Sequence, residues 1–490
     1  MKMKSLWSNV ISYNNLDELN ENKDIDVLII GGGITGISCA YYLKESGLNI
    51  CLVDQNKIGS GVTSRTTGKI TFLQETIYSD LLKKYSINTS FKYLKSQLFA
   101  MDEIKRIVNS ENIQCNLNCV ESYVFTNKKN EIKNLKKEMN VLKHLGIDVS
   151  EHDKINDNLK CKYAISVHDT YVFHPLKYLY ALTEVCLSSG INIYENTKII
   201  EMKKEKNGYI CFTNKYKIRA KKVIIACHYP FFIKPFFMPL KAHIEKSYVA
   251  SGKEENVLNK SFISSTYPVK SLRYHKDKNS YFIYLNNSHN MCNHCNYNKN
   301  FIGLINDIKK LKKNVDYIWS NEDLMTVDKL PYIGRLEKNN DNLFIGTGYN
   351  TWGMTNGTLA GYILANMILG RKTEYDDIFN PLRCNLISDF SAYLINVYSS
   401  LKSIIENKIV KQKKWYGSNI KYEKRNGKNI AIYYDGKVEH IVYSTCPHMG
   451  CSLVFNEVEK TWDCPCHASR FDIDGKCIKG PSSYDISVKK

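Results

Sequence analysis

The chain has 490 residues, room for about two to four domains, and its 43% hydrophobic content supplies real cores, which excludes a disordered protein. Its formal charge of +19 includes only nine Arg among 68 basic residues, and the lysines are spread along the chain, so no basic stripe points to nucleic acid. Sixteen cysteines in a chain of this size, with no export signal at its start, exclude a small secreted disulfide scaffold.

Residues 1–23 read as an N-terminal extension without an apolar run of signal-peptide length. No segment reaches the roughly 18 apolar residues of a membrane span, so the expected location is the cytoplasm. The segment DIDVLIIGGGITGISCAYYLKESGLNICLVDQN then reads as strand, glycine turn, helix, strand. Gly31, Gly33 and Gly36 have G-x-G-x-x-G spacing: the first permits the turn, the second lets backbone approach a pyrophosphate, and the third brings helix against strand. Ile34 and Thr35 open the helix whose N-terminus would face the phosphates, and Asp54, at the end of the second strand, can accept hydrogen bonds from ribose hydroxyls. Cys39 in this helix and Cys51 in this strand read as small buried hydrophobes.

GSGVTSRTTGKIT (59–71) follows with small residues and hydroxyls, among them Thr63, Ser64 and Thr67, suited to a bulky ligand. His174 precedes Pro175 at a predicted helix start, where capping competes with a role in a pocket. Short strand-like runs fill 236–320, and on them Tyr248 and Arg273 are candidates to hold a substrate carboxylate, against the plainer reading of ordinary strand residues. His289, Cys292, His294 and Cys295 have ligand-like spacing, but no second pair accompanies them, so an ordinary loop is the default reading. DNLFIGTGYNTWGMTNGTLAGYILANMILG (341–370) again reads strand, glycine turn, helix, as if the chain returns to the same ligand.

These segments, with VFHPLKYLYAL, KVIIACHYPF, EKSYVASG, SLRYH and DKLPYIGRL, resemble the FAD-dependent D-amino-acid oxidase/glycine oxidase superfamily. The resemblance implies FAD between the early cradle and the late loop, adding Gly346, Gly348, Gly353, Met354 and Thr355 to the cofactor-binding residues, with Trp352 as a further pocket candidate. It also implies an α/β (α+β) Rossmann-type flavin domain over 24–385, with flavin segments near 24–75, 150–235 and 325–385. An interleaved antiparallel-sheet substrate domain would take 76–149 and 236–324.

Residues 386–412 read as a helical connector. Cys446-x-His448 and Cys464-x-x-His467 each offer one Cys and one His, a set that suits an asymmetric [2Fe–2S] cluster and also tetrahedral zinc. The flanks PHMGC and CPCHAS resemble Rieske proteins, which favours the cluster. That resemblance implies a small all-β domain over 413–490, a Cys451–Cys466 disulfide, a covering proline loop in GPSSY, and a Ser469 hydroxyl that donates to a cluster sulfide. Phe471 stands where Tyr is usual, which removes one donor and implies an intermediate potential, while Ala468 replaces the usual Gly at little cost.

The whole chain resembles bacterial FAD-dependent oxidoreductases with a fused Rieske domain. The expected activity is oxidation of a small amine or amino-acid-like substrate, with electrons passing singly from flavin through the cluster to an external acceptor. An electron carrier or redox sensor without a substrate, or a reductase with electrons running from cluster to flavin, is the alternative. No two-His, one-carboxylate iron site of the Rieske oxygenase type is evident.

Overall fold

The computed structural model describes residues 1–9, 15–155, 159–232, 238–291, 296–383 and 419–488. The proposed connector at 386–412, and Cys292, His294 and Cys295, lie outside them.

The first sheet grows from the apolar run that ends strand β1 (Lys23–Ile30), buried from Val27 onward. Helix α1 (Ile34–Leu43) crosses to β2 (Ile50–Val53), which lies parallel to β1 and is buried throughout, as βαβ units require when helices cover the sheet. Strands Lys217–Ile225 and Asn340–Thr347 extend this parallel sheet on one side and Asn192–Tyr194 on the other. Tyr332–Glu337 closes the edge antiparallel, and the hairpin Glu201–Glu205 and Gly208–Phe212 pairs with Lys217–Ile225. The long helix Gly353–Ile368 packs on α1 through small residues: a Cβ on Gly361 would lie 2.7 Å from the Cys39 nitrogen, so glycine permits the approach.

A nine-stranded, mostly antiparallel sheet forms the second layer, with Tyr317–Thr326, Ala242–Lys253, Ser280–Asn290, Ser271–Lys276, Lys260–Ser264, Asn118–Thr126, Tyr163–Val172 and Lys69–Ile70 in spatial order. Lys69–Ile70 and Tyr163–Val172 therefore sit in this second sheet, whereas the sequence reading puts both stretches in flavin segments. Pairing decides this: Tyr163–Val172 bonds to Asn118–Thr126 along nearly its whole length. The start of the chain is also structural. Trp7 is fully buried, donates Nε1–H to the Thr66 carbonyl at 2.7 Å and lies beneath the Arg273 guanidinium.

Residues 419–488 are all β: a three-stranded sheet (Ile420–Arg425, Lys428–Tyr434, Glu439–Tyr443) and a four-stranded one (Val454–Asn456, Thr461–Asp463, Arg470–Phe471, Cys477–Lys479). Trp462, Phe455 and Tyr433 form their aromatic centre. No described helix is long and apolar enough to cross a membrane.

Candidate functional site

The turn after β1 and the start of α1 open onto a cavity of about 570 Å³. Gly31 has φ +117°, and a Cβ there would meet the Ala226 carbonyl at 2.7 Å, so the position requires glycine. A Cβ on Gly36 would lie 1.9 Å from the Gly31 oxygen, which explains the third glycine as a packing requirement. No side chain caps α1 at Gly33, and the Ile34 N–H donates to Thr63 Oγ at 3.2 Å. Asp54 accepts from the Gly32 N–H at 2.7 Å and the Asn56 N–H at 2.8 Å, which fixes its carboxylate at the cavity wall.

Of the cofactor candidates, Gly31, Gly33, Ile34, Thr35, Asp54, Thr63, Gly346, Gly353 and Met354 line this cavity. The structure places the others differently. Gly36 serves the helix–strand contact, Ser64 donates to the Gly61 carbonyl, and a Cβ on Gly348 would face Thr326. Thr355 donates to Gln97 Oε1 at 2.8 Å within a buried amide network, and Thr67 lines a neighbouring cavity. Asn196, Thr197 and the turn Ala226–Tyr229 complete the wall. Single sequence positions did not mark them, because they reach the site only through strand order.

The neighbouring cavity, about 200 Å³, shares Arg65, Thr66, Asp323, Thr351 and Met354 with the first. Apolar Ile263, Val269, Leu285 and Met325 line it together with charged Lys69, Glu75, Glu245 and Asp323. Burial pushes the Glu75 and Asp323 carboxyls up to about 7 and, helped by Arg273, the Lys69 ammonium down to about 7. Glu75 has φ 57°, an uncommon conformation for a residue with a side chain.

Trp352 lines this cavity, whereas His174, Tyr248 and Arg273 do not. His174 caps its helix by accepting from the Lys177 N–H, and burial lowers it to about 3. Arg273 gives its fork to the carbonyls of Thr67, Phe173 and Tyr274, so its donors secure backbone. Tyr248 stacks on His289 in the core of the second sheet.

At the tip of the C-terminal part, the Cys446 and Cys464 sulfurs lie against each other, and the His448 and His467 rings are 5.0 Å apart. Both nitrogens of both imidazoles are buried without a hydrogen-bond partner, an arrangement that costs free energy unless something ligates them. Cys451 and Cys466 form a disulfide across the tip. Their sulfurs also lie within 4.8 Å of Cys464, but a bonded pair has no thiolate to offer a metal. The Ser469 hydroxyl approaches Cys446 and accepts from the Ser482 N–H at 3.0 Å, which ties the proline loop down. Ala468 adopts φ 59°, and its methyl group joins the apolar cluster of the first sheet.

Residues 26–287, more than half the chain, match the family of FAD dependent oxidoreductases. The chain belongs to that family. Residues 407–488 match the Rieske [2Fe-2S] domain. A Bacillus subtilis (strain 168) chain, YhfW, named for a Rieske 2Fe-2S iron-sulfur protein, is 29% identical over 98% of this chain and 96% of its own length. Gamma-glutamylputrescine oxidoreductase of Escherichia coli (strain K12) is 23% identical over 75% of this chain and 89% of its own. Among solved structures, glycine oxidase from Geobacillus kaustophilus superposes with a TM-score of 0.63 at 16% identity, covering 74% of this chain and 99% of that one. That likeness concerns the fold.

The residues fit both groups of this flavoprotein. The glycine cradle and the 570 Å³ cavity suit FAD. Two thiols beside two unpartnered buried imidazoles are the donor set of a Rieske cluster. His467, Ala468, Arg470 and the loop Gly480–Ser483 form part of the flavin cavity wall, and the Tyr229 ring bridges the halves 5.5 Å from the His467 ring.

Proposed function

We propose that this FAD-dependent oxidoreductase oxidises a small amine or amino-acid-like substrate and passes electrons singly through its Rieske domain to an external acceptor. The observation that carries this reading is continuity: one cavity shares walls with a second cavity lined by ionisable groups on one side and with the candidate cluster ligand His467 on the other. When bound, FAD accepts two electrons as hydride and the cluster accepts one at a time.

The chain's own residues prepare the substrate. An amine arrives as ammonium and must lose a proton before its C–H hydride can leave. Glu75 and Asp323, held near neutrality by burial, can take that proton at physiological pH. Lys69, fixed by donating to the Phe262 carbonyl at 2.8 Å, gives the cavity a nitrogen donor for a carboxylate. Trp352, Leu285 and Val269 supply apolar contact and exclude water. The second cavity favours this reading over an electron carrier without a substrate.

Anaerobic absorption and EPR spectroscopy of the purified protein, with iron and flavin quantified, is the first test. Flavin bands bleached by an amine, followed by a rhombic Rieske signal, would support it. Zinc in place of iron would end the electron-transfer reading, and bleaching only from the acceptor side would reverse the direction.

A further inference from the structure

A buried ionic seam joins the two halves. Lys246, from the second sheet and wholly buried, lies 2.8 Å from Asp463, 3.1 Å from Glu322 and 3.7 Å from Glu459. Arg470 bonds Asp463 and Glu459 at 3.0 Å each, and Lys479 pairs with Glu322. Lys246 and Glu322 belong to the flavoprotein half and the other four to the Rieske domain, so three cations meet three carboxylates across the boundary. Burial opposes the Lys246 charge, yet Asp463 and Glu322 outweigh it and hold the ammonium above its ordinary range.

The seam has a polar rim. Ser320 Oγ donates to Glu459 at 2.6 Å, Arg65 lies 3.4 Å from Glu459, Asn298 donates to Glu457 at 2.7 Å, and Asn56 donates to the Ile478 carbonyl at 3.0 Å. Parting the halves would break several pairs at once.

We infer that the Rieske domain stays docked throughout turnover, clamped by this seam with His467 turned to the flavin cavity, and does not shuttle between flavin and acceptor. The inference gives the electron-transfer reading a fixed geometry, but its test is independent: spectroscopy decides the redox centres and scattering decides the docking.

The test is small-angle X-ray scattering of the full-length holoprotein, oxidised and dithionite-reduced, each at low and at 1 M salt. One profile is expected in all four conditions, with a radius of gyration near the roughly 23 Å of a 490-residue chain packed as one body. A radius that grows by several ångströms on reduction or in salt would overturn the proposal. Lys246→Met should broaden the profile while FAD and the cluster remain bound, and an unchanged profile in that folded variant would remove the seam as the clamp. If Lys246→Met fails to fold, the salt and redox series on the unaltered protein still decides.

Discussion

The glycine cradle and the cluster tip solve opposite problems. In the cradle, function depends on side chains that are missing: Gly31 and Gly36 stand where a Cβ would strike backbone at 2.7 and 1.9 Å. At the tip it depends on side chains that are present, with four donors converging and a disulfide across them. A site made of backbone should fail by steric intrusion, and a site made of ligands by deletion.

The sharpest way to break this contrast is Cys464→Ser. Loss of one thiolate should abolish the Rieske EPR signal while the flavin bands persist, and a retained signal would show that Cys464 is not a ligand. Gly36→Val should act in the opposite sense, weakening FAD retention on gel filtration by at least about tenfold, or ~1.4 kcal/mol, with the cluster intact. Next, Cys451→Ser opens a loop of sequence separation 15 and should cost the tip about 2–3 kcal/mol, read as earlier thermal loss of the cluster signal.

The smallest effect sharpens the contrast, because it tests a place in the flavin half where a side-chain charge matters. The native Glu75 carboxyl is raised to about 7 from 4.5, so between those values the folded chain binds more protons than the unfolded one and stability falls as pH rises. Glu75→Gln mimics the protonated form. It should stabilise by about 3 kcal/mol above pH 7, with the gain vanishing toward pH 4 in thermal melts. A gain independent of pH would place the effect outside this titration.

The two candidate redox sites were legible because each is written in local spacing. G-x-G-x-x-G with Asp54, and the two Cys/His pairs, need only short-range geometry to be read. The second cavity was not legible. Lys69, Glu75 and Asp323 come from separate segments brought together by strand order, and nothing in TGKIT or LQET marks a buried charge. Arg273 misled for a related reason: a guanidinium fork suits a carboxylate and three carbonyls equally well, and only the fold shows which it meets. His174 before Pro175 was legible as a helix start, and the structure gives it that cap. The ionic seam had no signature at all, because Lys246 and Asp463 lie 217 residues apart.

Ala468 carries a consequence of its own. A left-handed backbone conformation costs a residue with a Cβ about 1 kcal/mol relative to glycine. Here the methyl group is buried against the neighbouring half of the same chain. That contact offsets the conformational cost, so the worth of this side chain depends on the two halves staying together. Among fused chains of this kind, a side chain at this position should sort joined bodies from those whose parts remain independent.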